Sequence, residues 1–209
     1  AVCHRQFGIG ADGLVLIIRK DGEYTMRIFN ADGSEAEMCG NAIRCLADYL
    51  LRKNLVAGPV FPINTLGGTK LIQQEGSLYR VDMGEPGFQG LSPTVEIAVQ
   101  GRMWTCHPVS MGNPHAVVFV DDVDEINLAL WGPLLEKAEV WRQGANIEFT
   151  QVLSAHHLKV RVWERGAGPT LACGTGACAA AVAAIREGLV PSPVQVTLPG
   201  GDLTIEWEA

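Results

Sequence analysis

The sequence predicts an α+β protein of two pseudo-symmetric lobes, each a curled, mostly antiparallel sheet around a central helix. Three observations lead there. Two look-alike segments, 30–50 and 164–184, each run from a polar residue through a turn of small residues to a Cys-Gly step that opens an apolar helical stretch. Asn30 stands nine positions before Cys39, and Glu164 nine positions before Cys173. Such self-similarity marks an internal duplication. Second, short alternating or β-branched segments outnumber helical ones and are separated by Gly-bearing turns. Third, 177–185 is apolar almost all round and built mostly of alanine, the pattern of a helix buried on every side.

Taken in order, Gly8-Ile-Gly-Ala-Asp-Gly13 looks like a phosphate loop. It lacks the Lys-Ser/Thr pair and runs into a strand-like 14–18, so it reads as a tight turn. Asp21-Gly22 is a hairpin turn, and 24–29 alternates as a half-buried strand that delivers Asn30. Asp32-Gly33-Ser34 turns the chain into a helix over 40–52, with Ile43, Leu46, Ala47, Leu50 and Leu51 as its buried stripe. Strands follow over 61–65, 69–74 and 78–82. Gly84-Glu-Pro-Gly87 is the strongest linker, which places the lobes at 1–83 and 84–209. In the second lobe, strands over 95–99, 103–109 and 116–120 precede a short helix over 128–138. Strands over 146–151 and 157–164 lead to the Cys173 turn, and a helix over 174–187 stops at Gly188. A hairpin of 194–198 and 203–207 closes the chain.

Length and composition narrow the function. The chain has 209 residues, 47% of them hydrophobic, enough for a real core in two lobes. Its 16 basic and 23 acidic residues leave a net charge of -7 and no basic run to track phosphates, so nucleic acid is not an expected partner. No apolar stretch approaches the roughly 20 residues of a membrane span. The opening Ala-Val-Cys-His-Arg has neither Met nor a leader pattern, so it reads as an internal start in a cytoplasmic protein. Six cysteines in a chain with an ample core do not require a disulfide framework. Cys39 and Cys45, like Cys173 and Cys178, are splayed by about 120° or more around their helices, which disfavours zinc, and no metal is expected.

The chemistry points to Cys39 and Cys173. A cysteine just before the Gly that opens a helix lies in the field of unpaired N–H groups and the helix dipole, which lower a thiol pKa. Gly40-Asn41 and Gly174-Thr175 offer the same backbone donors to a carboxylate. Two such thiols on opposite faces of one α-carbon form a two-base pair, one removing the α-proton and the other returning a proton to the far side. Cys45 and Cys178, inside apolar helices, read as small buried hydrophobes. Taken singly, Asn113 reads as a turn residue, Asn146 as a strand-entry residue, Arg165 as a solvated charge and His115 as a satisfied core histidine.

Met38-Cys-Gly-Asn-Ala-Ile-Arg-Cys45 and Trp163-Glu-Arg-Gly-Ala-Gly-Pro-Thr-Leu-Ala-Cys-Gly-Thr-Gly-Ala-Cys178 resemble the two signature blocks of the diaminopimelate epimerase family. Phe29-Asn-Ala-Asp-Gly-Ser34, Ser110-Met-Gly-Asn-Pro-His115 and Leu198-Pro-Gly-Gly201 match further blocks in the same order. The resemblance implies a pyridoxal-phosphate-independent epimerase that interconverts LL- and meso-diaminopimelate in lysine biosynthesis, with no cofactor and as a homodimer. It implies that Cys173 takes the proton from the LL substrate and Cys39 donates to the opposite face. By the same resemblance Gly40, Asn41, Gly174 and Thr175 would bind the reacting carboxylate, Asn30, Asn113, Asn146, Glu164 and Arg165 would hold the amino groups and the distal carboxylate, and His115 and Glu164 would tune the thiols. Two departures stand out: the family's usual N-terminal Gly-Asn-Asp-Phe segment and its C-terminal return are absent, and Gly13 stands where some relatives carry a substrate-contacting Gln. The other readings are a proline or hydroxyproline racemase, which Glu164-Arg165 and the presence of both cysteines disfavour, and a thiol redox or metal-binding protein.

Overall fold

A two-residue turn starts the first sheet. Asp21 and Gly22 both have positive φ, 52° and 85°, and Lys20 pairs with Glu23 across them. This is the twist-matched hairpin geometry that an Asp-Gly pair favours. The structure, a computed structural model, describes residues 2–88 and 92–208. It divides into two units, Ala1–Gly84 and Glu85–Ala209.

In the first unit the hairpin joins β1 (Gly13–Lys20) to β2 (Glu23–Asn30). A two-residue β3 (Glu35–Ala36) pairs antiparallel with β2, and α1 (Gly40–Arg52) follows. Then β4 (Val60–Thr65) pairs parallel with β2, and β5 (Gly68–Glu75) and β6 (Leu78–Val81) complete an antiparallel meander. The sheet order is β1-β2-β4-β5-β6. One stripe of α1, with Ile43, Leu46, Ala47 and Leu50, packs on Tyr24, Met26, Ile28, Phe61, Ile63 and Ile72. Its other side carries Cys45 and Tyr49 to the surface. Strand β1 forms the sheet edge, and its run Leu14 to Ile18 is partly exposed on both faces.

The second unit contains β7 (Val95–Val99), β8 (Arg102–Ser110), β9 (Pro114–Phe119), α2 (Leu128–Glu136), β10 (Asn146–Ser154) and β11 (His157–Glu164). After these come β12 (Gly168–Thr170), α3 (Gly174–Arg186), β13 (Val194–Leu198) and β14 (Gly201–Ile205). The order β14-β13-β11-β10-β9-β8-β7 is antiparallel except at β9/β10 and β11/β13. One face packs on α2, where Leu128 and Leu135 join Ile147, Phe149 and Trp104. The other wraps α3, which meets β8, β9, β10, β11, β13 and β14 and is buried from Gly174 through Ala184. Alanine along α3 lets the strands approach the helix closely from several directions.

The duplication shows in the topology. Each unit contains a strand, a short antiparallel strand on it, a cysteine, a helix, and a second strand parallel to the first: β2-β3-α1-β4 and β11-β12-α3-β13. A hairpin then follows in both, β4-β5 and β13-β14. The short strands β3 and β12 escape sequence reading because two or three residues are too few to show a period. The closing hairpin begins earlier than the sequence suggests, since Leu198 pairs directly with Gly201 around Pro199-Gly200. Among the described residues no helix is long and apolar enough to cross a membrane.

Ala180 of α3 is fully buried. Ala180→Leu is expected to lower unfolding free energy by about 1–3 kcal/mol through overpacking, whereas Cys45→Ala on the exposed side of α1 is expected to change it by less than about 0.5 kcal/mol in urea titrations.

Candidate active site

Both repeat cysteines occupy the N-cap of a helix in extended backbone, Cys39 at φ -142° and ψ 116°, Cys173 at φ -128° and ψ 112°. Their carbonyls accept the first helical bonds, from Ile43 N–H at 3.0 Å and Ala177 N–H at 2.9 Å. Each side chain is thereby held beside the open end of its helix, where unpaired N–H groups collect.

In the first unit Asn30 ends β2. Its Nδ2 donates to Ser34 Oγ at 3.0 Å, while Ser34 bonds Asp32 and so tightens the turn before β3. The hydroxyl of Ser34 is the main cause holding the Asp32 carboxyl below its ordinary range. A forked pair, Arg27 to Glu35 at 2.6 and 2.7 Å, fastens β3 to β2. Asn41, on the first turn of α1, accepts from Arg44 at 2.7 Å. Gly40 is buried and Cys39 half-buried.

The second unit draws more of the expected residues together. Cys173 is only 7% exposed. Its Sγ accepts from Gly176 N–H at 3.4 Å and lies 3.5 Å from Thr175 Oγ1. Glu164 accepts from Thr170 at 2.5 Å and closes the turn by taking Ala167 N–H on its carbonyl at 3.1 Å. Asn146 clips two segments: its Nδ2 donates to Pro114 O at 2.9 Å and its Oδ1 accepts from Arg165 N–H at 2.9 Å. Glu136 of α2 supports the same turn through Trp163 Nε1 at 2.7 Å and Gly166 N–H at 3.3 Å.

His115 on β9 is fully buried and bonded at both nitrogens. Nδ1 lies 2.7 Å from Glu148 Oε1, and Nε2 lies 2.9 Å from Asn113 Oδ1. Glu148, on β10, is 0% exposed. A side chain begun at Gly176 would meet Glu148 Oε1 at 2.8 Å and Cys173 Sγ at 3.3 Å, so that carboxyl and that sulfur crowd the same point on the first turn of α3. Only glycine leaves room for both.

The electrostatics of Cys173 depart from the sequence expectation of a lowered thiol pKa. Burial, then Glu164, then Glu148, push it well above its ordinary value, and the Thr175 and Gly176 contacts only partly oppose them. The reason is desolvation: a thiolate removed from water loses more than the helix end returns when two carboxyl groups stand nearby. Cys173 therefore rests as a thiol, and its thiolate, once formed, is a stronger base than an exposed one. Burial likewise pushes Glu148 up, with His115 opposing.

Glu148 is the residue sequence reading missed. The signal was present in Asn146-Ile-Glu-Phe-Thr150, where polar and apolar residues alternate. Alternation ordinarily marks a strand with one wet face. Here Ile147 and Phe149 pack toward α2, and Asn146, Glu148 and Thr150 are buried as well.

The second unit's helix-on-both-faces sheet and the repeated Cys-helix crossover have counterparts among solved structures. A hydroxyproline epimerase from Agrobacterium vitis superposes with a TM-score of 0.75 at 16% identity, covering 96% of this chain and 68% of that one, a likeness of fold alone. Sequence carries the assignment further. A family model described as diaminopimelate epimerase matches residues 1–89 and 108–209. Diaminopimelate epimerase from Synechocystis sp. is 50% identical, with 100% of this chain and 80% of the relative aligned. The Halothermothrix orenii enzyme is 45% identical, with 99% and 80% aligned. The chain belongs to the diaminopimelate epimerase family, and its reaction class is that of an isomerase.

Native alkylation by iodoacetamide at neutral pH, mapped by mass spectrometry, is expected to label exposed Cys45 first. Cys106, whose burial pushes its pKa to about 12, and Cys173 are expected to resist. Glu164→Gln, by removing one of the carboxylates that raise it, is expected to move Cys173 labelling toward lower pH.

Proposed function

We propose that the chain interconverts LL- and meso-diaminopimelate through Cys39 and Cys173, one sulfur removing the α-proton and the other reprotonating the opposite face, in lysine biosynthesis. The observation that carries this reading is the matched seat of the two cysteines, each at the N-cap of the helix in a β-Cys-α-β unit that the chain contains twice. Family membership supports the substrate. In the LL direction Cys173 acts as base and Cys39 as acid, and the roles exchange in reverse.

The raised pKa of Cys173 suits a base facing a weakly acidic α-proton, because base strength follows the pKa of the conjugate acid. A base whose pKa is raised gains its active form as pH climbs, so the rate through Cys173 rises from neutral into alkaline solution. Backbone donors at Gly40-Asn41 and Gly174-Thr175 receive the carboxylate and stabilise charge developing on it as the α-carbon loses its proton. Asn30, Asn113, Asn146, Glu164 and Arg165 are assigned to the amino groups and the distal carboxylate, with the Arg165 guanidinium suited to a forked carboxylate contact. A homodimer in the cytoplasm goes with the same reading.

The test is turnover in deuterated water. LL-diaminopimelate is expected to gain α-deuterium and proline to gain none; the reverse would assign the chain to the proline racemase reaction. Cys39→Ala and Cys173→Ala are each expected to abolish epimerisation, and near-normal turnover in either would defeat the two-base scheme. Arg165→Ala is expected to raise KM by about tenfold or more, in line with loss of a charge-assisted contact, with a smaller change in kcat.

A further inference from the structure

The chain of contacts Glu148–His115–Asn113 has a direction. Asn113 turns its carbonyl oxygen, which can only accept, toward His115 Nε2 at 2.9 Å. Nε2 therefore carries a proton. On the other side of the ring, Nδ1 and Glu148 Oε1 are 2.7 Å apart, and a proton must lie between them, since a bare nitrogen facing a carboxylate oxygen would repel it. Whether that proton is formally on nitrogen or on oxygen, the pair is neutral overall. Both side chains are fully buried, so no water competes for these bonds.

The consequence falls on Asn113. Its Oδ1 is engaged by the histidine, which leaves the Nδ2 amide hydrogens as the group it can offer a ligand. Resting on the reading of Asn113 as a substrate contact, we propose that Glu148 is a positioning residue that, through His115, locks Asn113 as a hydrogen-bond donor and so makes it recognise a carboxylate of the substrate and not an ammonium group.

Loss of the shared proton reverses the chain. An ionised Glu148 beside a neutral imidazole takes the Nδ1 hydrogen, Nε2 is left bare, and two acceptors then face each other between His115 and Asn113. The amide turns over, presents oxygen to the substrate and repels its carboxylate. The titratable groups facing Glu148 are His115 from β9, Glu164 from β11 and Cys173 at the head of α3. Burial and Glu164 both favour retention of the proton, while His115 favours the ionised carboxylate.

Glu148→Gln separates this role from a merely structural one. The glutamine amide donates to a bare Nδ1, Nε2–H is preserved, and no proton remains to be lost. Wild-type KM for LL-diaminopimelate is expected to climb by about tenfold as rising pH removes the shared proton and the amide contact turns repulsive, while KM of Glu148→Gln, measured in parallel so that substrate ionisation cancels, stays level. Superimposable KM profiles would overturn the proposal. An independent readout needs no activity: nitrogen-15 NMR of His115 in the wild-type chain is expected to show a protonated Nε2 at neutral pH, and a bare Nε2 there would overturn it too. A wild-type chain that fails to turn over diaminopimelate would defeat the functional reading, and the NMR result would still decide the hydrogen-bond direction.

Discussion

Close approach at the head of α3 is the constraint on which the rest of the second unit depends. A carboxyl from β10 and the sulfur of Cys173 converge where a side chain on residue 176 would begin, so that residue has to be glycine. A second glycine does similar work on the opposite face. A side chain begun at Gly132 of α2 would run into the Trp163 ring at 2.4 Å, so its absence lets α2 lie against the strand that feeds the Glu164-Arg165 turn. Strands β10 and β11 are thus pressed from both sides, and the polar groups of Asn146, Glu148 and Thr150 on β10 are shut away from water. Buried polar groups are costly unless hydrogen-bonded, and accordingly His115 bonds Glu148 and Asn113 while Asn146 clips Pro114 to Arg165, with Glu164 held by Thr170 at the partly exposed turn.

That dryness also sets the character of the thiol. At a wet helix end the dipole and free N–H groups dominate and a cysteine ionises readily. At the head of α3 the same donors are present, yet burial and the two glutamates outweigh them. The outcome is a protonated sulfur whose thiolate, once formed, is a stronger base than an exposed one. Cys39 occupies the same position on its helix but is half-buried, because α1 is amphipathic and shows one side to solvent. The two halves of the duplication share topology and differ in how completely the sheet closes over the helix.

Much of this was legible from residue order alone. The spacing of Asn30 and Glu164 ahead of their cysteines, the Asp21-Gly22 turn and the long helices follow from local chemistry: turn residues, helical period and N-cap position are properties of neighbours in sequence. The family blocks could be picked out for the same reason, since a motif is a run of neighbours, but Cys45, expected from its helix to be buried, lies exposed because it falls on the solvent side of α1. Strands β3 and β12 were not, because so short a segment is defined by the strand it pairs with.

The sequence by itself determined the two-part α+β architecture, the Cys-Gly helix heads and the family to which the chain belongs. Tertiary structure alone decided three things: that the polar face of β10 is dry, that Glu148 reaches across to His115 from thirty-three residues away, and that the Cys173 thiol is held high instead of low. The physical reason is common to all three. Hydrogen-bond partners and desolvation depend on what covers a residue from other elements, and no periodicity within a strand records whether a helix lies over it.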